Sequence, residues 1–343
     1  MSVWQKVVKH LLHPEYLLHH LPIDTARKRA VMQERELRIV NQRNNTLRQF
    51  EQFRQENLKM SERIYRSYEE LNTTPPEADV YIVGSDQVWR CPGQDIRGVW
   101  SLQFGNANTR RISYAASMGE GAKREEWPAL KQKLSNLNAI SVREESAAKL
   151  CRELGYEATV TLDPTMLLTA DYYRCMAKRR TDEEQYAFLY VLNVRSAGDF
   201  HWKQIKEYLD RKGLQLKSVT GSGYYQGREL IEGNRNLPAT IPEWLGLIDG
   251  AKCVFTTSYH GTIFSILMHR PFLTIGLEGK YSGANSRMVE LLASLGLSER
   301  LFDPNVSVAQ QMDSEIDWER VEHRMEELRR HSVDFLKTNI VKK

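Results

Sequence analysis

Metal-binding cysteine pairs, long apolar runs and a dominant charge are all missing from this 343-residue chain. Its four cysteines, Cys91, Cys151, Cys175 and Cys253, lie far apart and form no C-x-x-C pair, which excludes the usual structural-metal spacings and points to a reduced, cytoplasmic protein. No apolar stretch approaches the roughly 20 residues needed to span a bilayer. The N-terminus lacks the apolar segment and small-residue cleavage site of a signal peptide, so a soluble protein is expected. A net charge of +4 with 27% charged residues gives no bulk reason to expect nucleic acid as a partner. His10, His13, His19 and His20 cluster, but Pro14 interrupts their spacing, and no metal site is expected. Internal repeats and low-complexity segments are also absent.

What is present is length and alternation. The chain is long enough, at 41% hydrophobic content, for two domains that each bury a core. Residues 1–75 read as a helical N-terminal region rich in Arg, Gln and Glu, with Phe50, Phe53, Leu58, Ile64 and Tyr65 as packing candidates. Its charges of both signs are interleaved, the mark of a solvated face. Trp4, Val7, Val8, Leu11 and Leu12 share one helical face, which docks on the protein's own body or rests on a membrane surface; peripheral membrane association stays open. Thr73-Thr74-Pro75-Pro76 closes this region, and the composition then turns β-rich.

From there, strands are expected at 80–83, 111–116, 139–143 and 159–162, with a helix at 144–154, up to the turn at Asp163-Pro164. The pattern begins again with strands at 186–194, 214–220, 254–257 and 271–276 and helices at 199–212 and 242–249. Strands alternating with helices predict an α/β fold with parallel sheets. The expected division is a first Rossmann-like lobe over 76–165, a second over 166–314, and a charged amphipathic helix within 315–343 that buries Val321, Met325, Leu328 and Val333. Ligands of such sheets bind beyond the carboxyl ends of the strands, so the loops there carry the candidate site residues.

The most informative of these is Thr257-Ser258-Tyr259-His260-Gly261-Thr262, a small polar turn between a buried strand and a buried helix. It puts an imidazole, the Ser258 hydroxyl and Gly261 at a helix N-terminus, where free N–H groups and the helix dipole favour an anion. A capped junction with a locally bonded histidine is the alternative. Arg143 ends a strand, where it grips phosphate or carboxylate, or else pairs with Glu144 and Glu145. Asp86, after Gly84 and Ser85, positions a substrate hydroxyl, accepts its proton, or caps a following helix. Lys280 supplies a point charge from a glycine-bearing loop, or is an ordinary exposed lysine.

Five segments in order then carry a resemblance: Tyr81-Ile82-Val83-Gly84-Ser85-Asp86-Gln87-Val88-Trp89, Ile112 to Ser117, Ile140 to Ser146, Leu162-Asp163-Pro164-Thr165, and Thr257 to Thr262 with Arg270-Pro271-Phe272. Together they resemble the polysaccharide pyruvyl transferase family. The resemblance implies a GT-B-like architecture of two lobes around a cleft, with a final helix returning toward the first lobe. It implies transfer of pyruvate from phosphoenolpyruvate to two sugar hydroxyls as a ketal, in surface polysaccharide such as exopolysaccharide or capsule. The acceptor it implies is a saccharide or a lipid-linked saccharide, handled in the cytoplasm or at the inner face of the membrane. By the motif match, Arg143 and Lys280 hold the donor's anionic groups and His260 is the acid/base residue; no cofactor or metal is called for, and a homo-oligomer is left open. Many relatives carry an arginine two positions before the histidine, where this chain has Ser258. They also begin with a strand and an Asn-Tyr-Gly turn in place of the polar helical region here, so the first lobe is expected to be incomplete. A nucleotide-sugar glycosyltransferase and an inactive scaffold of a polysaccharide assembly complex are the competing readings.

Overall fold

A computed structural model describes residues 46–90, 96–178, 184–194, 196–220, 231 and 237–340. The described part of the N-terminal region is not one helix. Helix α1 (Phe50–Asn57) stops where Leu58 turns to extended backbone, and α2 (Tyr68–Thr73) starts afresh at Ser67, whose hydroxyl accepts the Glu70 N–H at 3.1 Å. Leu58 and Ile64, expected to pack, are 51% and 77% exposed because they fall in the irregular stretch between the two helices. The face at Trp4 to Leu12 and the histidine cluster lie outside the described residues.

The first lobe runs through β1 (Val80–Val83), β2 (Arg110–Ser113), α3 (Trp127–Leu134), β3 (Ser141–Val142), α4 (Glu145–Glu153) and β4 (Thr159–Val160). Strands β1 and β2 pair in parallel, as do β3 and β4, and parallel bridges Ile112–Ala139 and Ala116–Val142 join the two pairs. Between them, serine hydroxyls take over ladder positions. Ser113 Oγ donates to Ser141 O and accepts the Ser141 N–H, both at 3.0 Å, and Ser141 Oγ accepts the Ala115 N–H. Side chains thus satisfy backbone groups that a regular ladder would pair, which keeps the assigned strands short.

The second lobe comprises α5 (Ala170–Met176), β5 (Tyr186–Val191), α6 (Trp202–Lys212), β6 (Gln215–Thr220), α7 (Ile241–Asp249), β7 (Cys253–Thr256), α8 (Tyr259–Leu267), β8 (Phe272–Thr274), α9 (Ser286–Ser294) and α10 (Val308–Met312). Among the described residues its strands lie in the order β6-β5-β7-β8, all parallel. Alternation along β5 sends Tyr186 and Phe188 into a core shared with α7, α8 and α9, and Ala187, Leu189 and Val191 into one shared with α6 and α10. A sheet buried on both faces explains why these strands read as continuous apolar runs.

Helix α11 (Trp318–Ile340) ties the lobes together. Val321 and Met325 enter the second lobe's core. Further along, Ser332 Oγ accepts the Leu162 N–H at 2.9 Å, Phe335 packs on Tyr114, and Arg110 Nε donates to the Asn339 carbonyl at 2.6 Å. Ser332 and Phe335 are buried, whereas Leu328 and Val333 are only partly so, the burial having rotated as the helix passes from one lobe to the other. The chain is α/β with two parallel-sheet lobes, as the alternation predicts. No helix among the described residues is long and apolar enough to cross a membrane.

Candidate functional site

The site is assembled at the carboxyl ends of strands from both lobes. After β1 the chain turns at Gly84, whose φ of 137° suits only glycine and whose missing Cβ leaves room for the Tyr114 carbonyl oxygen. The turn is pinned by the buried Trp89, whose indole N–H donates to the Trp100 carbonyl at 3.0 Å, and by Ser117 N–H donating to Asp86 O at 2.8 Å. Residues 86–90 form a turn, so Asp86 caps no helix among the described residues that follow it directly. Its backbone is left-handed at φ 49°, a conformation aspartate tolerates better than most residues.

The turn after β7 is built mostly for its own integrity. Ser258 Oγ accepts the Gly261 N–H at 3.2 Å, Thr256 Oγ1 accepts the Ser258 N–H at 3.0 Å, Thr262 Oγ1 donates to Ser258 O at 3.1 Å, and Gly261 has no Cβ because the Thr256 side chain occupies that space. Ser258 thus caps the helix through the Gly261 N–H. His260 is different: its side chain is 39% exposed and points out of the turn.

It points toward Asp163. This carboxylate, at the end of β4 and 1% exposed, accepts from Arg143 Nη1 at 2.7 Å and Ser85 Oγ at 3.3 Å through one oxygen, which also lies 3.7 Å from His260 Nε2. Its other oxygen accepts the Thr165 N–H at 3.0 Å and the Thr165 hydroxyl at 2.7 Å. Burial pushes the Asp163 carboxyl up, but His260, Arg143 and Thr165 together outweigh it and hold the group below the usual carboxylate range. Arg143 is itself 1% exposed; it bonds Glu144 Oε1 at 3.1 Å and lies over the Tyr259 ring at 4.2 Å. Burial works against its charge, yet Tyr259, Glu144 and Asp163 keep it firmly protonated. Burial raises Glu144, with Arg143 and Ser117 opposing.

Three of these participants escape the sequence reading. Asp163 reads as a turn residue before proline, although its place at a strand's carboxyl end is the same signal that singles out Arg143. Tyr259 reads as part of the turn, yet it is the ring that carries Arg143. Arg287, near the start of α9, is the third. Its guanidinium lies 5.6 Å from the same Tyr259 ring and 3.8 Å from Asp86 Oδ1, and the Gln87 amide, once turned to present its oxygen, accepts from the guanidinium's terminal nitrogens at 3.0 and 3.2 Å. Burial and the nearby Arg143 charge lower it from the usual arginine range, against Glu144, Asp86 and Tyr259. Asn285 closes the loop before it, accepting the Leu277 N–H and donating to the Leu277 carbonyl, both at 2.8 Å. Nothing in local sequence distinguishes Arg287 from a surface arginine. The Lys280 side chain lies outside the described residues.

On its other side His260 lines a pocket of about 320 Å³. Phe264, one helical turn on, continues an edge-to-face series in which Tyr173 and Trp244 flank Phe264 at 4.8 and 5.2 Å and Tyr190 meets Trp244 at 5.2 Å. Arg48, Phe50 and Phe53 of the N-terminal region complete the wall. His260 thus stands between a buried ionic cluster and an aromatic pocket.

Comparison with known proteins adds the following. A family model described as polysaccharide pyruvyl transferase matches residues 15–279, a span that begins inside the N-terminal region and so includes most of what the sequence reading set apart from the first lobe. No curated protein matches the chain. Among solved structures, the chain is similar to Methanocaldococcus jannaschii UDP-GlcNAc 2-epimerase in complex with UDP-GlcNAc and UDP (11% identity, 76% of this chain and 77% of that one, TM-score 0.44). It is also similar to a putative UDP-N-acetylglucosamine 2-epimerase from Listeria monocytogenes (12%, 77% and 76%, 0.42) and to the glycotransferase of kitacinnamycin (13%, 68% and 70%, 0.39).

Proposed function

The chain belongs to the polysaccharide pyruvyl transferase family, and from that premise we propose that it moves a pyruvyl group from phosphoenolpyruvate onto two hydroxyls of a saccharide as a cyclic ketal, in the building of a surface polysaccharide. The observation that carries the reading is the meeting of Arg143 and His260 on Asp163, at 2.7 and 3.7 Å. A fixed cation for a phosphorylated carboxylate and an accessible proton carrier stand side by side.

The chemistry asks for that pair. A proton given to the methylene carbon of phosphoenolpyruvate makes the adjacent carbon electrophilic, and one sugar hydroxyl attacks it. Departure of phosphate regenerates an electrophilic carbon, which the second hydroxyl closes into the ketal. Of the two hydroxyl protons, one ends on the new methyl group and the other on the phosphate. His260 is the group that delivers and recovers protons, as histidine does near neutral pH. Arg143 offsets the donor's charge with a planar donor set. The aromatic pocket fits the acceptor, since a sugar ring presents an apolar face to aromatic walls while its hydroxyls reach His260; it is of the size that small-molecule sites have.

Titration calorimetry with phosphoenolpyruvate tests the donor half. Binding is expected for the full chain and is expected to weaken at least about tenfold in Arg143→Lys, which keeps the charge and loses the planar fork. No heat with phosphoenolpyruvate, or heat only with a nucleotide sugar, would point to another donor. For the acceptor half, Trp244→Phe and Trp244→Ala are expected to raise KM for the saccharide progressively, up to roughly tenfold, as aromatic contacts of this kind contribute about 0.5–1.5 kcal/mol. The KM for phosphoenolpyruvate should stay put. A shift in both constants together would count against a separate acceptor pocket.

A further inference from the structure

Asp86 lies between two guanidinium groups and bonds to neither. Its Oδ1 is 3.5 Å from Arg143 Nη2 and 3.8 Å from Arg287 Nη1, ion-pair distances too long for hydrogen bonds. The three side chains differ sharply in access: Asp86 is 64% exposed, Arg143 1% and Arg287 11%. Arg143 Nη2 and Arg287 Nε are moreover buried with no acceptor. The neighbouring carboxylates do not serve them, because Glu144 is bonded to Arg143 Nε and Asp163 to Arg143 Nη1. Buried donors without acceptors are uncommon and costly, and call for an explanation. Two buried cations beside the Tyr259 ring repel one another, and of the carboxylates that oppose them Glu144 is buried and bonded to Arg143 Nε, whereas Asp86 is a loop carboxylate open to solvent.

Resting on the donor reading above, we propose that Arg287 is a second donor-binding residue and that Asp86 is a resident counter-ion which the donor's phosphate displaces. A phosphate monoester carries more charge than a carboxylate and three terminal oxygens, so it satisfies donors on both arginines where Asp86 Oδ1 satisfies neither. Displacing Asp86 costs little, since an exposed carboxylate at ion-pair distance trades that contact for water. When phosphate leaves as product, Asp86 returns to its place between the two guanidiniums and adds its charge to that of the buried Glu144. Asp86 on this account is a positioning residue, not a base.

Calorimetric titration of phosphoenolpyruvate, inorganic phosphate and pyruvate into the full chain, Arg287→Gln, Arg287→Lys and Asp86→Asn tests it. Arg287→Gln is expected to weaken phosphoenolpyruvate and phosphate by roughly ten- to a hundredfold, the worth of charged hydrogen bonds, and Arg287→Lys by less, with pyruvate little affected. Asp86→Asn, at an exposed side chain that folding does not depend on, is expected to tighten both phosphate-bearing ligands several-fold. Wild-type affinity in Arg287→Gln, or weaker binding in Asp86→Asn, overturns the proposal. Arg287-dependent binding of inorganic phosphate without binding of phosphoenolpyruvate would keep the cradle and dismiss pyruvyl transfer. Phosphoenolpyruvate binding that ignores Arg287 would do the reverse.

Discussion

His260→Ala is expected to fold normally, bind phosphoenolpyruvate and lose roughly a hundredfold to ten-thousandfold in kcat for ketal formation, the range that a positioned acid/base group contributes. Normal folding is expected because the imidazole is 39% exposed and the turn that bears it is held by Ser258, Thr256 and Thr262, none of which bonds through His260. Donor binding is expected to survive because Arg143 is held by Asp163 and Glu144 independently of the histidine. Measuring kcat alongside the donor dissociation constant separates the two contributions. Near-normal turnover in the folded variant would remove His260 from the chemistry; loss of donor affinity with little change in kcat would make it a binding group instead.

The parts of the molecule that follow from local pattern were legible beforehand. Strands β5 and β7 bury both faces and so appear as apolar runs, and α11 shows its stripe through Val321 and Met325. Arg143 and His260 were legible for a related reason, since each follows such a run at the end where parallel sheets hold ligands. Asp163 obeys the same rule but hides beside a proline, where aspartate has an ordinary structural use. Arg287 obeys no local rule: it reaches the site from the start of a helix, over a loop folded by Asn285, and only the tertiary placement of that helix brings its guanidinium beside Tyr259. Ser258 and Gly261 have the composition of an anion site, and the structure shows them bonded to each other. The N-terminal region misled because charge-rich sequence keeps helical composition through stretches where the chain, as at Leu58 to Arg66, runs irregularly.

Asp163→Asn is expected to produce the largest loss of stability, about 3–5 kcal/mol at neutral pH, because it removes one partner of a buried pair and leaves the Arg143 guanidinium, 1% exposed, short of its closest opposing charge. For a protein of this size that corresponds to a fall in Tm of roughly 4–7 °C. The shape of the substituted group hardly changes, so packing is not the cause; charge is. The pH dependence identifies it. A carboxyl whose folded value lies below its unfolded one, about 3.9, stabilises the protein fully above that unfolded value, and the contribution is lost as pH falls through the folded value. Wild type and Asp163→Asn should therefore differ most at pH 5–7 and converge as pH is lowered below about 4. Melting temperatures taken at pH 7, 5, 4 and 3 give the comparison, and a constant offset at all four would assign the loss to altered hydrogen bonding at Thr165 and Ser85 rather than to the ion pair. The same carboxylate joins Arg143 of the first lobe to His260 of the second. Its replacement should accordingly lower kcat even at temperatures where the variant is fully folded, since the cation and the proton carrier would no longer share a fixed point.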